Sequence, residues 1–242
     1  MRIGALSDIG KQRSGNEDSY FVYRNQNLIG GMVADGMGGE NAGEVASSMA
    51  CSIVKEYIIN EFNPEMDYMQ LAETVRRAFL EANSKIFAYS KKDKQLEGMG
   101  TTSTLAIIYK QKLIVVHVGD SRVYLIDENG IYQHTKDHSY VQELLSRGEI
   151  TKESAMQHPA KNYITRAVGT DDILKADVTV SDYNGEVVVI CSDGLSNMLC
   201  DSQIEEIIKS SDDLQSDVVE LVKLANKKGG LDNITVIAFS NN

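Results

Sequence analysis

The stretch MVADGMGGEN, residues 32–41, closes one periodicity and opens another. The run that leads into it, NLIGGMVAD, is apolar, has strand character and stops at Asp35. Glycine then fills 36, 38 and 39. From about Asn41, Ala42, Val45, Ala46, Met49, Ile53, Val54 and Tyr57 fall at helical spacing, which predicts an amphipathic helix over 41–61. A single Asp-Gly is most simply a turn, because both residues tolerate positive φ. Here the arrangement recurs: VVVICSDGLS puts Asp193 after a second apolar run, and VVHVGDSRV puts Asp120 after a third.

Outward from that switch, RIGALSD and SYFVYR read as strands on the N-terminal side. A second helix is predicted over 67–89, carrying Leu71, Val75, Ala78, Phe79, Ala82 and Ile86 on one face. Strands return with TSTLAIIY, KLIVVHVGD and RVYLIDENG, the last turning through Asn129-Gly130 into IYQHT. SYVQELLSRG is a short helix with Gly148 suited to end it. Residues 149–163 are polar with weak periodicity and read as a mobile surface segment. EVVVICSD is a buried strand. DSQIEEIIKS is a helix whose Ser202 and Glu205 have capping-box spacing. SDVVELVKLANKKGG is a further amphipathic helix ending at glycine, and NITVIAFS is a closing strand. Strands, two helices, antiparallel strands, two helices and a strand make an α+β order, which two packed antiparallel sheets with helices outside accommodate.

Composition narrows the function. A chain of 242 residues with 42% hydrophobic and 24% charged residues can bury a core, and one domain is the simplest organisation. Its formal net charge of -11 argues against nucleic-acid or anionic-membrane partners, which need a cationic footprint. Cys51, Cys191 and Cys200 lack zinc-site spacing and read as reduced thiols of a cytoplasmic protein. MRIGALSDIG has no apolar h-region, so no signal peptide is expected, and no apolar stretch has the length of a membrane span.

Asp18, Asp35, Asp120, Asp193 and Asp232 all end or adjoin apolar runs. Stacked strands can bring such ends to one rim. Gathered carboxylates repel, and some protonate unless a cation joins them. Oxygen donors without His or Cys favour Mg²⁺ or Mn²⁺ over zinc. Glycine after Asp35 lets the backbone come close, so the Gly36 carbonyl can join the donor set.

In this order, SDIGKQRSGNEDSYF, VADGMGGENAGEVAS, GTTSTLA, VGDSRVY, DHSYVQELLSRGEIT, HPAKNYITRAVG, CSDGLSNML and LDNITVI resemble the metal-dependent serine/threonine protein phosphatases, the type-2C or PPM family, most closely its bacterial branch. The resemblance implies a four-layer αββα sandwich, a domain spanning 1–242 with a flap at about 149–163, and two Mn²⁺ or Mg²⁺ ions at one edge. It implies that Asp35 bridges both ions, that the Gly36 carbonyl binds the second, and that Asp193 and Asp232 bind the first. Glu17 and Asp18 would act at the edge mainly through water, with Asn233 in support. Arg13 would hold the substrate phosphate, its planar fork matching phosphate oxygens. Asp120 would join Asp193 at a third, weaker ion. The implied reaction is hydrolysis of phosphoserine and phosphothreonine by a hydroxide shared between the two ions, opposing a serine/threonine kinase. Such a protein is expected to be a monomer acting on phosphoproteins.

One position departs from the family. Many members carry histidine after the bridging Asp-Gly, as a proposed general acid; here it is Met37, which cannot donate a proton. A water on the third ion could fill that role. His117, His134, His138 and His158 read as structural or exposed. The rival from another class is a non-catalytic, metal-stabilised interaction module of the same fold. Such a module should have lost ligands, and none of the matched acids is missing.

Overall fold

The computed structural model describes residues 1–39 and 42–241. The apolar runs become strands β1 (Arg2–Asp8), β2 (Asp18–Arg24) and β3 (Leu28–Met37). Helices α1 (Ala42–Glu61) and α2 (Tyr68–Ser90) follow; Asn41, the first residue of the helix expected at 41–61, lies outside the described residues. Next come β4 (Gly100–Thr101), β5 (Ser103–Tyr109), β6 (Lys112–Val118), β7 (Arg122–Asp127), β8 (Gly130–Gln133), α3 (Tyr140–Ser146) and α4 (Lys152–Met156). The chain closes with β9 (Asp177–Asp182), β10 (Val187–Cys191), α5 (Asp193–Ser196), α6 (Asp201–Ile208), α7 (Leu214–Lys227) and β11 (Ile234–Ser240).

Local chemistry sets the boundaries. Asp67 caps α2 by accepting from the backbone of Met69 and Gln70, while Gln70 answers the Asp67 N–H. Ser139 caps α3 and Asp213 caps α7. Gly148 follows α3 at φ 70, the left-handed conformation expected of a helix-terminating glycine. The capping box of α6 sits two residues earlier than its sequence suggests. Cys200 and Gln203 form it, so Ser202 and Glu205 do not, and Glu205 pairs with Lys209 at 2.7 Å instead. The segment 149–163 is less featureless than its periodicity implies, since α4 forms within it.

All strand pairs are antiparallel, in two sheets. One runs β1-β11-β10-β7-β8; the other runs β2-β3-β5-β6-β9, with β4 pairing β3. The strands of the central positions are apolar on both faces, as burial between two layers requires: every residue of β5 and of β11 is buried. Ile29, Val33, Ala106, Val188, Ile190 and Ile237 fill the space between the sheets. α1 and α2 cover the outer face of the β2-β3-β5-β6-β9 sheet through Ala46, Val54, Leu71 and Phe79, while α5, α6 and α7 cover the other through Leu195, Ile204, Val218 and Leu221. The result is the expected four-layer αββα sandwich. Each fully buried Leu, Ile or Phe contributes about 1.5–3 kcal/mol, so the three apolar layers fix the stacking of the sheets and thereby which strand ends meet. No helix among the described residues is long and apolar enough to cross a membrane.

Candidate metal centre

Antiparallel pairing brings the ends of distant strands to one rim. Asp18 opens β2 and stands directly opposite Asp35 near the end of β3. Asp193 follows β10, and Asp232 precedes the neighbouring strand β11. Asp120 follows β6. The backbone of the rim is tightly nested. A Cβ on Gly36 would lie 2.1 Å from the Gly43 carbonyl oxygen and 2.6 Å from that of Glu17, so only glycine lets α1 approach β3 here. A Cβ on Gly194 would lie 1.9 Å from the Asn233 carbonyl oxygen.

The loop from Ile9 to Glu17 is tied to this rim by Asn233. Its Oδ1 accepts from the Glu17 N–H at 2.8 Å, and its Nδ2 donates to the carbonyls of Ile9 and Gly15, each at 2.9 Å. Arg13 is thereby carried to Asp232, where Nη2 donates to Oδ2 at 2.8 Å. Asp232 Oδ1 accepts from the Asn233 N–H at 2.9 Å. Asp18 Oδ2 accepts from the Ser192 hydroxyl at 2.7 Å, and its Oδ1 is buried without a hydrogen-bond partner. Asn197 donates to Asp193 Oδ2 at 3.0 Å.

Three supporting residues carried no role in the sequence reading. Thr102 donates its N–H to the Asp35 carbonyl at 2.8 Å, and its hydroxyl accepts from the Asp35 N–H at 2.9 Å and meets Ser121 at 2.8 Å. Thr101 donates its hydroxyl to the same Asp35 carbonyl at 2.9 Å. Ser192 links Asp18 to β11 by accepting from the Thr235 N–H at 3.0 Å. Their motif GTTSTLA and the position just before Asp193 were the available signals; neither residue type announces a partner so far away in the chain.

The acids feel one another. Burial pushes Asp18 up to about 7 against the relief supplied by the Ser192 hydroxyl, with Asp193 and Asp232 adding repulsion. Burial pushes Asp120 up to about 8, with Asp193 the next contributor, and Asp193 up to about 6, with Asp232 next. Asp35 is driven well above the carboxylate range, first by burial and then by Asp18, Asp193, Asp120 and Asp232 in turn. Glu17 is also raised, chiefly by burial against the opposing effect of Arg13. Asp35, Asp120, Asp193 and Asp232 nevertheless keep part of their surface in solvent. All five sequence-derived acids are therefore neighbours at one rim.

A model of the protein phosphatase 2C family matches residues 10–234, the whole length over which these acids are distributed. The chain belongs to the protein phosphatase 2C family. It is 39% identical to the serine/threonine phosphatase stp of Listeria welshimeri, over 100% of this chain and 96% of that protein. Among solved structures, serine/threonine phosphatase Stp1 from Staphylococcus aureus superposes with a TM-score of 0.93 at 31% identity, covering 99% of this chain and 94% of that one. The catalytic domain of the serine/threonine protein phosphatase PstP, solved in complex with two manganese ions, superposes with a TM-score of 0.85 at 35% identity, covering 98% and 96%.

The rim of this phosphatase fits divalent cations. Its donors are all oxygens, one of them, Asp18 Oδ1, is buried with no partner, and burial with mutual repulsion raises the carboxyls of Asp18 and Asp35, a cost a cation would relieve. Among the described residues no three His, Cys, Asp or Glu side chains stand as a ready coordinating group. Asp193 instead accepts from Asn197, and Asp232 accepts from Arg13. An amide and a guanidinium thus satisfy part of the rim. The histidines are occupied elsewhere: His117 and His138 stack 4.7 Å apart, His134 bonds Thr179, and His158 accepts from the Ala160 N–H. Met37 is half-buried at the end of β3 and opposes Gly100 of β4.

Proposed function

We propose that this phosphatase hydrolyses phosphoserine and phosphothreonine in proteins at the carboxylate rim, with two Mn²⁺ or Mg²⁺ ions. The observation that carries the proposal is the gathering of Asp18, Asp35, Asp120, Asp193 and Asp232 at one partly exposed rim, where burial and mutual repulsion raise the carboxyls of the first four. Asp35 would hold both ions, with the Gly36 carbonyl, Asp193 and Asp232 completing the set and Asp18 and Glu17 acting from the edge. When bound, such a pair lowers the pKa of a shared water and offsets phosphoryl charge, so no protein nucleophile is needed. Cys191 stays outside the chemistry, because burial pushes its thiol up to about 12.

The remaining work falls to the chain itself. Thr101 and Thr102 fix the Asp35 backbone, and Ser192 orients Asp18. Arg13 swings from Asp232 to take two phosphate oxygens in its planar fork. Asp120 would serve a third, weaker ion beside Asp193, and the leaving alkoxide would draw its proton from that side, since Met37 has none to give. In the cell we place the protein in the cytoplasm as a single-domain monomer spanning 1–242, with 149–163 as flap. Its reaction would oppose a serine/threonine kinase, without nucleic-acid or membrane partners.

The direct test is release of phosphate from phosphothreonine peptides with Mn²⁺ or Mg²⁺, and its arrest by EDTA. Full turnover in a rigorously metal-free preparation would refute the proposal. Arg13→Ala is expected to lower kcat/KM about ten- to a hundredfold, the value of one charge-assisted hydrogen bond of roughly 1.5–3 kcal/mol. The loss falls in KM if Arg13 holds the ground state and in kcat if it acts only in the transition state. An unchanged kcat/KM removes Arg13 from phosphate binding.

A further inference from the structure

A concave surface adjoins the rim. It has a volume of about 630 Å³, with an apolar floor of Leu6 from β1 and Val219 and Val222 from α7. Lys11, Lys223 and Lys227 surround that floor, and all three are exposed. On a chain of net charge -11, this groove reverses the local sign. Its one acid, Asp8, is already engaged: Oδ1 accepts from the Gly10 N–H at 2.8 Å and from Asn226 Nδ2 at 3.0 Å. Among the described residues Lys11 and Lys227 form no ion pair, and Lys223 only approaches Glu220 of its own helix at 4.0 Å.

The groove is continuous with the carboxylate rim. The Lys11 N–H donates to the Gly230 carbonyl at 2.8 Å, two residues before Asp232. The same loop then presents Arg13 to Asp232 at 2.8 Å. Lys11 and Arg13 are thus separated by at most about 7 Å of chain. Lys223 and Lys227 lie one helical turn apart, about 6 Å along α7. One face of the loop therefore carries Arg13 to the rim, and the other opens onto a lysine-lined trough.

We propose that this groove is a docking subsite for the substrate protein, taking an acidic segment about two to five residues from the phosphorylated side chain. The apolar floor accepts the stems and small side chains of that segment, while the lysines meet its carboxylates. Like the phosphate-binding role of Arg13, this rests on the rim being the site of hydrolysis. Because the pairs are exposed, they act mainly on encounter and KM and weaken as salt rises.

The experiment compares phosphothreonine peptides that are neutral, or carry Glu at two to five positions on the N-terminal or the C-terminal side. The wild type is expected to show a KM roughly tenfold lower for one acidic series at low ionic strength, shrinking toward twofold at about 0.5 M salt. Lys223→Glu with Lys227→Glu is expected to reverse the order, favouring peptides with Lys at those positions, while turnover of p-nitrophenyl phosphate stays unchanged. Equal KM values across the wild-type series, or a preference for acid that survives the double reversal, would overturn the subsite while leaving the phosphatase reading in place. Failure to hydrolyse both the aryl phosphate and every peptide would take down the reading of the rim and the subsite with it.

Discussion

Asp35→Asn is expected to reduce phosphopeptide turnover by on the order of a thousandfold while the protein remains folded. A supporting residue around a metal site is commonly worth ten- to a hundredfold; Asp35 would act directly on two ions and should exceed that. Its carboxyl senses Asp18, Asp193, Asp120 and Asp232. The fold survives because the links from Thr101 and Thr102 reach the Asp35 backbone, which asparagine keeps. Removing the acid also lowers repulsion, so the metal-free variant should melt above the metal-free wild type. Steady-state kinetics and thermal unfolding in EDTA check both halves. Near-normal turnover would show that Asp35 is only a strand-end turn residue.

Without divalent ions, the protein is expected to lose about 2 kcal/mol of stability between pH 6.5 and 8. Asp120 moves from an ordinary 3.8 to about 8 on folding, and Asp18 from 3.8 to about 7. A carboxyl raised in this way binds its proton in the folded state after the unfolded chain has released it. Its stabilisation is complete below the unfolded value and drains away as pH climbs to the folded one. Between 6.5 and 8, Asp120 alone traverses about 1.5 units, at roughly 1.4 kcal/mol each. His117, whose burial pushes it down to about 3, acts the other way but only below its ordinary 6.5, so this window avoids it. Saturating Mn²⁺ should flatten the dependence, since a cation replaces the proton. Urea unfolding at the two pH values, with EDTA and with Mn²⁺, measures it. A metal-free protein that grows more stable from 6.5 to 8 would contradict the crowding of acids at the rim.

The layers of the sandwich were legible wherever the pattern was local and strong. The switch at residues 32–41 shows both periods within a few residues, and β3 and α1 fall on either side of it. β9 carried only a short one, Val178 and Val180 alternating with polar residues. DVTVSD is largely exposed and keeps its strand form through pairing with β6, a partner some sixty-five residues earlier that no window can see. The cap of α6 was misplaced because a thiol, Cys200, does what a hydroxyl or carboxylate usually does. At the site, the five acids were visible because each adjoins an apolar run. The bonds that organise them were not: Arg13 meets Asp232 and Ser192 meets Asp18 across most of the chain. A sequence names such residues singly, and only the stacked sheets make them neighbours.

The most direct measurement is calorimetric titration with Mn²⁺ at pH 7.5 on the wild type, Asp35→Asn and Asp120→Asn, each run in two buffers of different ionisation enthalpy. The wild type should bind two ions tightly and a third weakly, with proton release visible as a buffer-dependent heat. Asp120→Asn should keep the first two ions and lose the third, and Asp35→Asn should lose the tight pair. A wild type that binds no Mn²⁺, or an Asp35→Asn protein with unchanged stoichiometry and affinity, would contradict a metal centre at this rim.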